Sequence, residues 1–511
     1  MYREVTAAVL SGINSFTVNV EADVGNGMPV FELVGFLSSE VREARERIRS
    51  AAQNSGLPLP PKHITVNISP ADKKKHGTGL DLAIAVAVIT AGIENTPDMT
   101  GYLIVGELGL NGDVRPINGI LSMVIAARET GKHICIVPCD NYREALLVPD
   151  IKAIPVRSLN EALDYLIKGK TPDILPESSV STVAVAKEGE SDFKYINGQK
   201  FLRRACEVAV AGRHNLLMVG PPGAGKSMIA KCIPTILPKM STSEKLEVSK
   251  IYSACGLFGE RESLIENRPF RAPHHTISAA GLCGGGTVPH PGEISLAHAG
   301  VLFLDELTEF SRQTIEILRQ PLEERQIHIS RVNGDCEFPA DFMLVAAMNP
   351  CPCGNFPDLK KCRCTGAEIE RYQGKLSQPL LDRIDMCVEA PRIGFLELTG
   401  REENESSDEI RKRIERISAL QKERYKKTSY KYNSRIPASD MDKYCRLGQK
   451  EHKYVTELYE RLGLTARTYH KLLRVARTIA DMDGCSEIGL SHLNEAVCYR
   501  GIEDSYREVV A

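Results

Sequence analysis

Three groups of residues in this chain have the types and spacing for phosphoryl chemistry. The first is the unbroken run Gly220-Pro221-Pro222-Gly223-Ala224-Gly225-Lys226-Ser227. Its glycines let the backbone curl until N–H groups point at phosphate oxygens, and a helix opening behind it adds its positive pole. Lys226 is placed to reach the β- and γ-phosphates of a nucleotide, and the Ser227 hydroxyl to hold Mg²⁺. The second group is Asp305-Glu306, closing the apolar run Gly300-Val301-Leu302-Phe303-Leu304. Asp305 would complete the Mg²⁺ shell while Glu306 polarises an attacking water. The third is Asn349, at the end of the run from Phe342 to Met348, where an amide would orient that water or sense the γ-phosphate. Each alone is compatible with an ordinary core strand and a polar end. Together they imply ATP hydrolysis.

These groups need strands to carry them. Leu216-Leu217-Met218-Val219 reads as a buried strand leading into the loop, with a helical pattern from Met228-Ile229-Ala230. The runs ending at Asp305 and Asn349 read as two more buried strands. Residues 1–168 mix strands and helices: Ile64-Thr65-Val66-Asn67-Ile68 alternates as a half-buried strand does, Leu80 to Ile93 predicts a buried helix, and Tyr102-Leu103-Ile104-Val105 another strand. Residues 169–194 read as a linker, because Thr171 to Asp192 is rich in Pro, Ser, Glu and small residues without amphipathic period. Residues 195–395 hold the nucleotide machinery. Residues 396–511 are helical: Ile410, Ile414, Ile417 and Leu420 recur at helical spacing, as do Leu472, Val475, Ile479 and Met482.

Composition sets the frame. A chain of 511 residues forms two to four domains, and 42% hydrophobic with 25% charged residues describes a soluble globular protein. The most apolar segment, Leu80 to Ile93, is interrupted by Asp81 and too short for a bilayer. The start Met1-Tyr2-Arg3-Glu4 has no export pattern, which predicts a cytoplasmic home with no membrane partner. Fifteen cysteines without an export signal then point to reduced thiols or metal ligands. A net charge of −2 excludes a uniformly basic nucleic-acid binder but leaves room for a local basic surface.

Between the loop and the acidic strand lies a distinctive lead-in: Pro273-His274-His275-Thr276, Gly284-Gly285-Gly286, then Pro291-Gly292-Glu293-Ile294-Ser295-Leu296-Ala297-His298. With the motifs above it makes nearly the whole chain resemble the magnesium-chelatase-like AAA+ ATPases of the ComM/YifB group. The resemblance implies an α/β fold: an AAA+ P-loop core, a C-terminal helical lid and an N-terminal Lon-protease-like α/β domain. It also implies that Arg383, in Ser377-Gln378-Pro379-Leu380-Leu381-Asp382-Arg383-Ile384-Asp385, is an arginine finger serving the neighbouring subunit of a ring, most often a hexamer. Arg467, in Leu464-Thr465-Ala466-Arg467-Thr468-Tyr469-His470, matches the sensor-2 arginine that opens a lid helix, and Arg371 is a third candidate. The structural alternative for Arg383 is an ion pair with Asp382 or Asp385.

The Lon-like resemblance comes without its chemistry. Such enzymes need a serine nucleophile and an activating lysine. Gly79 stands at the nucleophile position and Leu121 at the lysine position, so the proteolytic dyad is absent and the domain reads as a scaffold. Thr78 and Ser122 remain as hydroxyls out of register.

Two further features remain. Cys351-Pro352-Cys353 and Cys362-Arg363-Cys364 offer four thiolates on a short loop, a set suited to structural Zn²⁺, with four reduced cysteines as the alternative. Ile327 to Phe338 reads as a hairpin turning at Asn333-Gly334. Related ring helicases project such a hairpin into a pore, which would bring Arg331 to a DNA backbone; the alternative is a solvent-facing hairpin with an Arg331–Asp335 pair. The segment from Arg268 to His275 is a second candidate pore element. The combined expectation is an ATP-driven hexameric ring motor on DNA, a branch-migration helicase of recombination or natural transformation. A protein-remodelling ATPase and a magnesium chelatase motor subunit are the rivals.

Overall fold

The computed structural model describes residues 1–93, 96–172, 191–259, 263–286, 288–331, 334–392, 394 and 404–500. Most of the linker and the chain end thus lie outside the described residues.

The N-terminal region is built on a seven-stranded sheet, ordered Val30–Val34, His63–Ser69, Asn14–Gly25, Tyr2–Ser11, Tyr102–Ile104, Ile134–Pro138, Lys152–Val156. Its first two strands in sequence form a long antiparallel pair, Tyr2↔Asp23 to Ser11↔Asn14. The Asp81–Ala91 helix lies against this pair, buried along almost its whole length, which is why its sequence is apolar all round rather than striped. The charge that interrupts that run is paired: Asp81 takes Arg47 Nε at 2.7 Å. Burial raises the Asp81 carboxyl above its usual range, against the opposing pull of Arg47.

The second sheet has five strands, ordered Phe270–Arg271, Val301–Leu304, Met343–Met348, Leu216–Val219, Met386–Glu389. All its neighbours run parallel. Leu216–Val219, Val301–Leu304 and Met343–Met348 are buried at every residue, which explains their continuous apolar sequences. In such a sheet the loops at the carboxyl ends of the strands form the ligand crevice. Gly220, Asp305 and Asn349 each follow the last residue of a strand, so all three motifs arrive at that edge.

The longest helices of the C-terminal region are Ser407–Arg424, Gln449–Arg461, Ala466–Met482 and Leu490–Cys498. Ser406 with Glu409, and Thr465 with Thr468, close capping boxes at two of their starts. The buried Asp481 carboxylate takes Arg424 at 2.6 Å and Arg477 at 2.9 Å. His214, from the core, meets Thr478 Oγ1 at 2.8 Å and ties the Ala466–Met482 helix to the sheet.

Several expectations need adjustment. The helix behind the phosphate loop begins at Lys226, and the early buried helix spans Asp81–Ala91. In the hairpin the ladder runs from Gln326↔Pro339 to Arg331↔Gly334, and the expected turn at Asn333-Gly334 falls partly outside the described residues. The ladder sets Ile327 opposite Phe338, and both are buried in one core cluster, which fixes the register at the base. Residues 332 and 333 and the Arg331 side chain lie outside the described residues, as therefore does the expected DNA contact. Outside the 351–364 cluster, Cys485 and Cys498 are exposed.

Candidate nucleotide site

Gly223 and Gly225 adopt left-handed φ values of 79° and 80°, the conformation that turns the loop's N–H groups inward. A Cβ built on Gly223 would meet nothing within 4 Å, so the cradle is open where a phosphate would lie. Gly220 is needed for a different reason: a Cβ there would stand 2.1 Å from the Ala390 carbonyl oxygen. Lys226 Nζ folds back onto the carbonyls of Gly220 and Pro221 and reaches Asn349 Oδ1 at 3.2 Å. Burial holds its pKa below the usual lysine range, while Asp305 and Glu306 oppose that shift. A cation turned onto backbone carbonyls beside an open, N–H-lined cradle fits a polyphosphate.

Ser227 Oγ donates to Asp305 Oδ2 at 2.5 Å, and the Glu306 amide donates to Asp305 Oδ1 at 3.0 Å. A hydroxyl and a carboxylate in direct contact at the loop's end are the oxygen donors a Mg²⁺ shell uses, and they fit the ion. Glu306 sits at φ 51°, a left-handed value that costs a non-glycine residue energy. Its side chain lines a cleft of about 650 Å³. His275, Asn349, Arg371, Tyr372 and Lys375 share the cleft's lining, and His275 Nδ1 stands 3.7 Å from Glu306. The structure therefore brings Lys226, Ser227, Asp305, Glu306 and Asn349 together. Sequence reasoning missed His275 as a partner of Glu306, although it lies within the Pro273–Thr276 block.

Arg383 and Arg467 are elsewhere. Asn215 opens the Leu216–Val219 strand; its amide N–H binds Asp385 at 2.8 Å and its side chain binds the Arg383 carbonyl at 2.9 Å. Arg383 is thus at the amino end of the strand whose carboxyl end carries the phosphate loop. Its guanidinium pairs with Glu323 at 2.7 Å, not with Asp382 or Asp385. Arg467 reaches the same Glu323 at 3.3 Å.

The Arg268–His275 segment is not a free basic loop. Arg268 is buried against Glu244 and the carbonyls of Pro238 and Ala299, and Arg271 is clamped by Glu293. Arg268 and Arg271 are thereby paired within the chain, while His275 of the same segment lines the nucleotide cleft.

Cys351, Cys353, Cys362 and Cys364 place their sulfurs all within 4.8 Å of one another. Backbone N–H groups of Arg363 and Asn355 hold the Cys353 thiol down, to about 6. In the N-terminal region, a Cβ on Gly79 would press Ile117 Cδ1 at 3.2 Å, and Leu121 is fully buried. Ser122 Oγ is committed to the Ile13 carbonyl at 2.6 Å and Thr78 to Glu107. No nucleophile–lysine pair occupies those positions.

A phosphate-binding loop, an acidic strand pair and a polar strand end on a parallel sheet, with a helical region behind, define a P-loop ATPase of the AAA+ class. Family profiles carry this further: magnesium chelatase, subunit ChlI, matches residues 192–398, the ChlI C-terminal profile matches 404–500, and a further ChlI profile matches 20–141. The chain is 39% identical over 499 residues to the competence protein ComM of Haemophilus influenzae, covering 96% of each. It is 39% identical over 497 residues to the YifB protein of Salmonella typhimurium, again covering 96% of each. Lon protease 2 of Bacillus subtilis is 26% identical over 248 residues, 43% of this chain and 44% of that protein. The chain belongs to the magnesium-chelatase-like AAA+ ATPases, in the ComM/YifB family. Among its described residues no helix is long and apolar enough to cross a membrane.

Proposed function

We propose that this ATPase is a cytoplasmic hexameric ring motor on DNA, a branch-migration helicase in recombination or natural transformation. The carrying observation is the position of Arg383 at the opposite end of the sheet from Lys226, Asp305 and Glu306. A nucleotide site whose charge-stabilising arginine is out of its own reach is completed by a second copy, as in a ring. Within one subunit, Lys226 and the loop bind the polyphosphate, Ser227 and Asp305 hold Mg²⁺, Asn349 orients, and Glu306 accepts a proton from water. The bound Mg²⁺ would offset the charge developing between the phosphates. The likeness to a competence protein supports DNA as the substrate. The four clustered cysteines are the proposed ligands of a structural Zn²⁺.

The test is ATPase rate with no DNA, with forked DNA and with a four-way junction, beside an unfolded protein as competitor substrate. Stimulation by branched DNA supports the reading. Stimulation by the unfolded protein alone favours a remodelling ATPase.

A further inference from the structure

We infer that the cysteine cluster is a metal-bound knuckle that sets one wall of the nucleotide cleft, holding Arg371 toward the terminal phosphate of the chain's own ATP. The inference rests on the ATPase reading and the zinc site proposed above, and adds a coupling between them.

Three of the four sulfurs stand at the spacing a tetrahedral site needs, and the fourth lies within 4.8 Å of each. Cys351 to Cys353, Cys351 to Cys362 and Cys353 to Cys362 are 3.4, 3.8 and 3.6 Å apart. Four sulfurs at ~2.3 Å from one Zn²⁺ stand about 3.8 Å from one another. The Phe356 amide donates to Cys351 Sγ at 3.4 Å and Asn355 Nδ2 to Cys353 Sγ at 3.8 Å, the kind of outer contact that orients thiolates on a metal. Cys351 is buried with Phe356 and Ile369, a core too small to hold a loop by itself.

The knuckle touches the nucleotide machinery on three sides. Cys351 comes two residues after Asn349, and Pro352 lines the cleft. Gly354 packs on the phosphate loop so closely that a Cβ would lie 2.4 Å from Pro222 Cδ. Thr365, directly after Cys364, closes a capping box on the Gly366–Gln373 helix, and Ile369 of that helix belongs to the knuckle's core. One turn of this helix presents Glu368, Arg371 and Tyr372 to the cleft. Among the described residues the exposed Arg371 guanidinium forms no hydrogen bond or salt bridge, unlike Lys375, which binds the Thr308 carbonyl at 3.0 Å. Glu368, one turn earlier on the same helix, is the carboxylate whose charge Arg371 feels, and it forms no hydrogen bond or salt bridge with it, so the guanidinium is left able to take a ligand oxygen in the cleft.

The experiment uses the full chain, purified reduced from zinc-supplemented medium. Metal per chain is counted, Co²⁺ is exchanged in for its tetrathiolate absorption, and affinities for ATP and ADP are compared. The expected result is close to one Zn²⁺ per chain and a preference for ATP over ADP. Cys362→Ser should lose the metal and, with its fold intact by circular dichroism, the preference. Arg371→Ala should keep the metal and lose roughly tenfold or more of that preference. Should Cys362→Ser unfold, release of zinc from the parent by a chelator and its return provide the same comparison. Metal-free parent protein with no Co²⁺ thiolate band overturns the site. Metal present, with Arg371→Ala and the zinc-released parent both as selective as the parent, overturns the coupling. A parent that holds zinc but binds neither nucleotide overturns the ATPase reading and the phosphate contact with it, and leaves the zinc site standing.

Discussion

Arg383 and Arg467 share one carboxylate: both guanidinium groups pair with Glu323, at 2.7 and 3.3 Å. Lys471, one turn beyond Arg467, donates to the carbonyls of Leu381 and Ile384 and locks the two segments together. Arg467 is therefore bound to the Arg383 end of the sheet. A four-residue strand, ~13 Å at about 3.3 Å per residue, separates that end from the phosphate loop. Both arginines thus sit at the end of the sheet opposite the phosphate loop. Glu323 holds both side chains at that end.

The first prediction follows from that arrangement. Arg383→Ala and Lys226→Ala should each be inactive alone, and a mixture should regain ATPase because some interfaces then join an intact Lys226 site to an intact Arg383. An arginine finger contributes about 10³-fold or more in rate, so recovery should exceed either parent clearly. Arg467→Ala should complement Lys226→Ala in the same way. Verified mixed rings without recovery would place the arginines in a structural role.

Within one subunit, Lys226 and Glu306 should separate binding from turnover. Lys226→Ala removes the charge facing the phosphates and should abolish nucleotide binding or turnover. Glu306→Gln keeps the cleft and loses the proton acceptor, so ATP should still bind while hydrolysis drops by ~10²-fold or more. Equilibrium binding and steady-state rates decide it; normal turnover in Glu306→Gln removes that residue from its role.

DNA affinity should run through the 326–339 hairpin and ignore base sequence. Overall charge is −2, so attraction must come from a few cations repeated around a ring. Phosphate contacts supply affinity without sequence information and weaken with salt. Arg331→Ala should lower affinity alike for all sequences, flatten the salt dependence and spare basal ATPase. Unwinding of forked DNA at the parent rate by this variant would discard the hairpin.

Acid should loosen the junction between sheet and helical region at His214. Burial lowers its pKa from 6.5 to about 4, so the folded chain keeps it neutral where the unfolded chain protonates it. Its contribution to stability is complete above 6.5 and is lost as pH falls towards 4, on the order of 2 kcal/mol by pH 5. Thermal melts at pH 7 and pH 5 should show the loss. His214→Gln should start lower and fall less; an equal fall in both proteins would assign the acid sensitivity to other groups.

Sequence alone determined the chemistry that is local in the chain. The phosphate loop, Asp305-Glu306 and Asn349 were legible because each sits directly after a run of apolar residues, and a parallel sheet collects the ends of its strands at one edge. The missing serine and lysine of the Lon-like region were legible for the same reason, as a position needs only its residue type to be excluded. Tertiary structure decided everything that depends on distant segments meeting. Glu323 receives Arg467 from 144 residues away, and no spacing rule predicts that. Arg268 looked like a basic loop residue, yet folding buries it on Glu244, because charge counts do not reveal which cations have partners. The alternation from Ile327 to Phe338 was legible as a hairpin, but that Ile327 and Phe338 stand opposite each other in one buried cluster was visible only in the fold. The cysteine spacing was visible in sequence. That the four sulfurs converge beside the nucleotide cleft became visible only when the loop folded back on the phosphate loop.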